Sequence, residues 1–304
     1  MNTTSETLIE SSNKTLLAYL ALIAAIFCIG WSAIFVRWTD IPGSVSAFYR
    51  MLIPAAILLP TFFIRKDVKP LSRRSLGIIA LGGIFFAGDL ALYNSSILRT
   101  TAANATLLGN NSPIFVGLLT WMVFRRRPQA SFWIGLLMAV SGSLVILRSD
   151  LLRHTQFGLG DAMAVGAAAF FAMYLLATEE VRTTTGTLQF LRLAMISTTV
   201  ALFLLNLALG NSFRVSNART WGALVGLGLI SQLVGYMALT YALGHLPATV
   251  TSVSLLTQGP LTAALAAVLL REPLSAAQIV GGILVLVGVG VAHRQKHPEE
   301  EANV

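Results

Sequence analysis

Residues 220–270 read TWGALVGLGLISQLVGYMALTYALGHLPATVTSVSLLTQGPLTAALAAVLL and contain no Asp, Glu, Lys or Arg. The run divides into two apolar segments at residues 244–247, where the sequence is Gly-His-Leu-Pro. About 20 apolar residues, rising 1.5 Å each, are needed for a helix to cross the hydrocarbon of a bilayer. Because lipid offers no partner to an unpaired backbone group, such segments cross as helices. The stretch therefore predicts two consecutive transmembrane helices.

The same pattern continues through the chain, where residues 15–36, 100–124, 128–147, 193–213 and 273–293 are also free of charged side chains. Only 11% of the 304 residues are charged, against about 25% in an average soluble domain. We therefore predict an all-α integral membrane fold rather than a soluble one. Ten transmembrane helices are predicted, at residues 16–37, 44–64, 75–98, 100–124, 129–148, 160–181, 187–210, 217–242, 247–270 and 274–293.

The net charge of +8 comes from short Lys and Arg clusters between the apolar runs. This distribution is typical of membrane topology signals and does not indicate a nucleic-acid partner. Twelve Lys and Arg residues fall on the side of the N-terminus and seven on the opposite side, while two lie within spans. We predict a multi-pass protein of the bacterial inner membrane with both termini in the cytoplasm. Residues 1–15 and 294–304 would form its two cytoplasmic tails.

The two halves of the sequence resemble each other. Residues 91–108 align with 238–255 at a constant offset, and the same offset relates the prolines and glycines around them. The matched pairs are Gly88 with Gly235, Pro113 with Pro260 and, at nearly the same register, Arg50 with Arg192. Five spans in each half would leave the halves oppositely oriented, which is an inverted repeat. Residues 16–148 and 160–293 are the predicted repeats.

The second half carries the more distinctive motifs: Leu246-Pro247-Ala248-Thr249 leading to Pro260, then Arg271-Glu272-Pro273 and Gly281-Gly282. With them the chain resembles the drug/metabolite transporter superfamily, in its ten-helix EamA-domain branch. The resemblance implies two inverted five-helix repeats around a central cavity. Members of the superfamily move amino acids, nucleotide-sugars, other metabolites or drugs, and the aromatic amino-acid exporters look like the nearest functional analogue.

Two spans are interrupted by a proline in their middle. Asn110 and Asn111 precede Pro113, and Gln258 precedes Pro260. Proline breaks the helical hydrogen-bond ladder, and paired breaks in two halves of a transporter point to its binding site. We therefore predict that the three amides line the cavity and that Gly109, Pro113, Gly259 and Pro260 form helix breaks or hinges. The alternative is that these residues only shape helix packing.

Arg50 and Asp89 are charges inside predicted spans, at similar depths on neighbouring helices. An unpaired charge there is costly, so the two are predicted to form a pair. The pair either contacts the substrate or a proton, or is a structural bridge, and the sequence leaves both open. Arg192 is the repeat partner of Arg50, and Tyr236 occupies the position that matches Asp89.

Aromatic and polar residues in the spans complete the predicted cavity lining: Trp31, Tyr93, Tyr174, Gln232 and Tyr236. The alternative for each aromatic residue is lipid contact or packing. A lining of aromatic rings and amides, without dense positive charge, suits a neutral, zwitterionic or cationic amphipathic solute. It argues against nucleotide-sugars and phosphosugars.

Together these features predict a secondary active transporter that exports small amphipathic metabolites, such as aromatic amino acids, related compounds or drugs, by alternating access. The sequence contains no P-loop, and its four histidines lack metal-ligand spacing. No catalytic residue, metal or cofactor is therefore predicted. The predicted partners are the substrate and the lipid bilayer, without an obligate protein partner; proton coupling is left open. An integral-membrane enzyme and a scaffold or channel are the alternatives.

Overall fold

A computed structural model describes residues 2–61, 70–100, 105, 108–146, 158–261, 264 and 275–293, with the backbone alone at residues 2–13, 33 and 37. These parts of the chain are helical and contain no strand. We number the helices α1 to α10 in chain order. They are α1 (Asn2–Gly30, continued after a turn at Trp31 by Ser32–Arg37), α2 (Gly43–Leu58), α3 (Arg73–Ile97), α4 (Ser112–Met122), α5 (Ala130–Ile146), α6 (Leu159–Arg182), α7 (Thr187–Ala208), α8 (Ala218–Gly226, Leu227–Gly235 and Tyr236–Leu243), α9 (Ala248–Leu255) and α10 (Ala276–Ala292).

Each predicted span overlaps one of these helices, which confirms the all-α class. Within the described residues, five helices are long and apolar enough to cross a membrane: Lys14–Val36, Arg73–Ile97, Leu159–Arg182, Thr187–Ala208 and Ala218–Leu243. The number of crossings stays a prediction. Helix α1 begins at Asn2, so the residues expected to form an N-terminal tail continue the first helix. The predicted C-terminal tail, 294–304, lies outside the described residues.

Helix ends are set by local side-chain and backbone chemistry. At the start of α10, the Ser275 hydroxyl accepts from the Gln278 amide at 3.2 Å, and the Gln278 side chain accepts from the Ser275 amide at 2.8 Å. This reciprocal capping satisfies two donors that a helix start leaves without partners. At the end of α7, Gly210 takes φ +66°. The left-handed turn directs the Asn211 amide back to the Asn206 carbonyl at 3.0 Å, and so fixes where the Asn211 side chain lies.

The packing of the first five helices mirrors that of the last five. Helix α3 packs on α6, and α1 packs in the same way on α8. Three further contacts join equivalent helices directly: α2 with α7, α4 with α9, and α5 with α10. The largest buried cluster lies where α1, α2, α3, α6, α7 and α8 meet. The polar residues of interest are carried by helices that surround this core.

Helices α5 and α10 touch backbone to backbone through glycines. A Cβ atom built on Gly135 would lie 2.4 Å from the Gly288 carbonyl oxygen, and one on Gly142 would lie 2.5 Å from the Gly281 oxygen. Because the lower-numbered glycine of α5 meets the higher-numbered glycine of α10, the helices run antiparallel. Small residues at such contacts let helices in lipid approach closely.

This contact gives a matched pair of glycine substitutions in α10. A Cβ on Gly288 would lie 2.6 Å from the Ala139 amide nitrogen and the Gly135 oxygen, whereas Gly290 has no neighbour within 4 Å. Gly288→Ala is expected to push the helices apart and to destabilise the protein by about 1–3 kcal/mol, the usual range for overpacking. Gly290→Ala should leave stability unchanged or slightly higher, because alanine favours the helix. Thermal unfolding in detergent compares the two; equal melting temperatures would contradict the close contact.

Helices α4 and α9 are interrupted at corresponding positions. Leu108 and Gly109 are helical, Asn110 and Asn111 form a turn, and α4 begins at Ser112 with Pro113 in its first turn. After α9, a turn at 256–257 precedes a further helical stretch at 258–261, which contains Pro260. The expectation of a mid-helix proline was therefore wrong in detail, because each break comes before its proline. A first-turn proline loses no helical hydrogen bond there.

Helix α8 contains a π-helical segment at Leu227–Gly235 that the sequence analysis did not predict. Phe35 and Ile29 of α1 pack against Gly226 and Gly235 at its two ends, where a Cβ would lie 2.6 and 2.9 Å from them. A π-helical segment widens the helix by one residue per turn and often occurs at functional sites. It carries Gln232 and ends directly before Tyr236.

Candidate functional site

Arg50 lies in the middle of α2 and is only 3% exposed. Its Nε donates to the Gln232 Oε1 of the π-helical segment at 2.8 Å. The guanidinium carbon stands 5.6 Å from the centre of the Tyr236 ring, within the range of a cation–π contact. The guanidinium is thus held between an amide oxygen and an aromatic face, both supplied by the second half of the chain.

Aromatic rings from three helices pack beside this arginine. Phe86 of α3 stacks on Tyr174 of α6 with ring centres 4.4 Å apart, and it contacts Tyr236 of α8 at 4.8 Å. Asp89 follows Phe86 by one helical turn, is partly exposed, and lies within electrostatic range of Arg50 and Tyr236. We call Arg50, Phe86, Asp89, Tyr174, Gln232 and Tyr236 the central cluster.

The central cluster combines three kinds of recognition chemistry. A guanidinium binds carboxylates through charge-assisted hydrogen bonds, a carboxylate binds ammonium groups, and stacked rings bind apolar or aromatic groups. Charged side chains at this position in a membrane protein are costly and mark functional sites by default. The direct bond of the Arg50 Nε goes to Gln232, so the predicted Arg50–Asp89 ion pair stays a prediction.

The cluster is closed in this conformation. Tyr174, Gln232 and Tyr236 are each at most 3% exposed, as is Arg50. A solute that reaches Arg50 must therefore displace side chains or separate helices. In a protein with two conformations in equilibrium, a site that is buried in one conformation can be open in the other.

A cavity of about 510 Å³ lies elsewhere, between α1, α9 and α10. Its lining is almost wholly apolar, apart from Ser254, Thr257 and a His293 ring that shares a 2.7 Å hydrogen bond with Ser254. Its rim residues Ile23, Phe27 and Leu286 are 48–63% exposed, which places the opening on the outer surface of the helix bundle. Of the predicted site residues, only Pro260 lines it. We favour the central cluster as the site, because it contains a buried charged residue, whereas the lining of this cavity is almost wholly apolar.

The structure brings together five of the predicted cavity residues, namely Arg50, Asp89, Tyr174, Gln232 and Tyr236. Trp31 packs against Phe35 instead, with ring centres 6.1 Å apart. Tyr93 lies against Gly109, where a Cβ would lie 2.9 Å from its ring, and so reaches the start of the α4 break. Asn110, Asn111, Gln258 and Gly259 are partly exposed at the two helix breaks. Their part in a cavity stays a prediction.

Arg192 is buried in α7 at 2% exposure, and the structure does not assign it to the central cluster. Glu180 of α6 forms an ion pair with Arg74 at 3.3 Å on the exposed surface. The neighbouring Glu179 faces the amide of Ala248 at the start of α9.

A second polar group, missed by the sequence analysis, ties the first turn of α2 to α7. The Ser44 hydroxyl donates to the Asn206 Oδ1 at 2.8 Å, and the Asn206 amide donates to the Ser44 carbonyl at 3.0 Å. Asn211 completes the group with bonds to both residues at 3.0 and 2.9 Å. We call these three residues the Ser44 clamp. The sequence does not predict this contact, because the serine and the asparagines are far apart in the chain and belong to no recognisable motif.

On the other side of α2, Asn94 of α3 donates to the Gly43 carbonyl at 3.0 Å and to the Ser46 hydroxyl at 3.1 Å. A Cβ on Gly43 would lie 2.6 Å from the Asn94 backbone, so the helices are in close contact. The Tyr49 hydroxyl also donates to the Phe213 carbonyl at 2.6 Å. The end of the helix bundle at which α2 starts and α3 and α7 end is therefore firmly closed.

The clamp predicts an effect of cross-linking. In a Cys28→Ala background, the Ser44→Cys/Asn206→Cys protein should form a disulfide on oxidation, because the two side chains are in contact. If this end must open during transport, oxidation should stop transport, and reduction should restore it. The Ser44→Cys single variant, oxidised in parallel, is the control. Normal transport by the cross-linked protein would show that this end need not open.

Comparison with known proteins identifies the family. The profile of the EamA-like transporter family matches residues 16–148 and again residues 158–293. The chain belongs to the EamA-like transporter family. The family contains transporters and no enzymes, which confirms the prediction of a transporter over an enzyme. The chain is therefore a multi-pass membrane protein that transports small metabolites.

Two of the similar proteins are named as exporters. The chain is 28% identical to the pseudopaline exporter CntI of Pseudomonas aeruginosa, over 84% of its own length and 88% of the relative. It is 27% identical to a probable terminal-alkyne amino-acid exporter of Streptantibioticus cattleyicolor, over 73% and 74%. A solved crystal structure, 19% identical, superposes with a TM-score of 0.75 over 92% of this chain and 96% of its own. At that identity it shows the fold alone.

Proposed function

We propose that this protein is a secondary active transporter of the bacterial inner membrane that exports small amphipathic metabolites through the central cluster. The observation that carries the proposal is the position of Arg50. It is a buried cation that contacts Gln232 and Tyr236 from the other half of the chain and lies near Asp89. A site built at the junction of two repeats is the usual arrangement in secondary transporters.

Two features support inverted repeats and alternating access. The helix contacts are nearly unchanged when the two halves are exchanged, and α4 and α9 are interrupted at corresponding positions. Five helices per repeat, with both termini in the cytoplasm, would give the halves opposite orientations. The Ser44 clamp would then close the outer end, and movement of one repeat against the other would expose the site alternately.

The chemistry of the cluster favours a zwitterionic solute with an aromatic or other apolar group. Arg50 can bind its carboxylate, Asp89 its ammonium group, and the rings of Phe86, Tyr174 and Tyr236 its side chain. Amino acids of this kind combine all three. Exporters of pseudopaline and of a terminal-alkyne amino acid among the relatives support this class of solute.

The test does not require the substrate to be known. Everted membrane vesicles that contain the wild-type protein are incubated with a mixture of amino acids and other metabolites, with and without a proton gradient. Mass spectrometry then measures what the vesicles accumulate. Wild-type vesicles should accumulate zwitterionic amphipathic solutes that vesicles with Arg50→Ala do not. Equal accumulation by the two preparations would refute the proposed function.

A further inference from the structure

We infer that Gln232 acts as an internal substitute for a substrate carboxylate, holding Arg50 until a solute with a carboxylate group displaces it. The inference rests on the proposed function, because it concerns the same site. It assigns to Gln232 the role of competitor rather than that of a ligand for the solute.

The geometry of the contact supports the substitution. The Gln232 Oε1 lies 2.8 Å from the Arg50 Nε, the separation at which a carboxylate oxygen would accept from the same atom. Both side chains are almost completely buried, at 3% and 1% exposure. A buried guanidinium without an acceptor would be strongly unfavourable. The amide oxygen therefore provides an acceptor for the Nε–H group while no solute is bound.

Several other groups face the same guanidinium. Asp89 acts on it through charge and the Tyr236 ring through its π face. Gln232, unlike Asp89, is neutral, so a charged carboxylate can compete with it for the Nε–H group. The Asp89 charge lowers the affinity for a plain anion to the same extent in the wild type and in variants of Gln232, and it favours a solute that also carries a cationic group.

The position of Gln232 in a π-helical segment gives it a way to move. Leu227–Gly235 winds with more residues per turn than an α-helix. Each residue of an α-helix accounts for about 100° of rotation, at 3.6 residues per turn. When the segment tightens toward α-helical winding, Gln232 turns away from Arg50. Gly228, one turn before Gln232, packs on Ile53 of α2, and Gly235 packs on Ile29 of α1. Release of Gln232 would therefore change how α8 packs against α1 and α2.

The experiment uses benzoate and benzamide as probes, since they differ in the carboxylate alone. Binding to the purified full-length protein is measured from the rise in melting temperature with probe concentration, at constant ionic strength. Gln232→Ala should bind benzoate about tenfold more tightly than wild type, which corresponds to about 1.4 kcal/mol. Gln232→Met should do the same with the side-chain volume retained. Gln232→Glu should lose benzoate binding, because its own carboxylate would occupy Arg50.

Benzamide should raise the melting temperature of the wild type and of all three variants only slightly, and by the same amount. If Gln232→Ala and Gln232→Met bind benzoate no better than wild type, the inference is overturned. If they bind it more weakly, Gln232 is itself a ligand for the solute, and the inference is again overturned. Failure of the proposed function would appear separately, as wild-type vesicles that accumulate no metabolite in the transport assay.

Discussion

Arg50→Ala is expected to abolish transport and to lower stability substantially. The guanidinium is 3% exposed and is the donor to Gln232, so its removal leaves a buried amide oxygen unpaired and the Asp89 carboxylate without its neighbouring cation. Removing one member of a buried charged group typically costs about 3–5 kcal/mol. Thermal unfolding and the vesicle assay should both detect the change.

Arg50→Lys separates the two effects. Lysine keeps the charge but lacks the planar guanidinium that faces Gln232 and the Tyr236 ring, and it cannot bind a carboxylate with two parallel hydrogen bonds. We expect Arg50→Lys to fold at near wild-type yield while its transport falls at least tenfold. Arg74→Ala is the matched control, since this side chain is 81% exposed in a surface ion pair with Glu180. It should change neither quantity.

The second large effect is expected at Asp89. Asp89→Ala removes the acidic group near Arg50, and Arg50→Ala removes the cation, so each single variant should be damaging. A purely structural role predicts that the Arg50→Ala/Asp89→Ala protein folds better than either single variant and recovers much of its transport. A role in substrate or proton binding predicts recovered folding with transport still absent.

The double variant also tests whether the residues interact at all. Additive effects of the two substitutions would show that they are independent, and the electrostatic proximity would then have no consequence. Asp89→Asn, which keeps the shape of the side chain, addresses coupling. If Asp89 carries the coupled proton, this variant should export, if at all, without dependence on external pH.

Much of the fold follows from the sequence, because lipid imposes strong constraints. Long uncharged runs have to be helices, and several of the helices match their predicted spans closely, among them Arg73–Ile97 and Ala276–Ala292. The pairing of prolines and glycines between the halves is matched by symmetrical helix contacts. Arg50 and Asp89 were recognisable because a charge in an apolar run needs a reason.

Other features could not be read from the sequence. The π-helical segment depends on how α8 packs against α1 and α2, and apolar periodicity does not distinguish it from an α-helix. Phe86 was one apolar residue among many until the fold placed it between Tyr174 and Tyr236. Trp31 looked equally suited to a cavity but lies against Phe35. The sequence of a membrane helix does not indicate which neighbouring residue an aromatic side chain will contact.

Solute counterflow of L-phenylalanine in proteoliposomes shows whether the solute crosses the membrane through the central cluster. Vesicles are loaded with unlabelled solute and diluted into labelled solute, so that a carrier produces a transient accumulation of label. We predict this overshoot for the wild type and for Arg74→Ala, and none for Arg50→Lys at the same reconstituted amount of protein. An overshoot by Arg50→Lys equal to that of the wild type would show that the solute crosses without the central cluster.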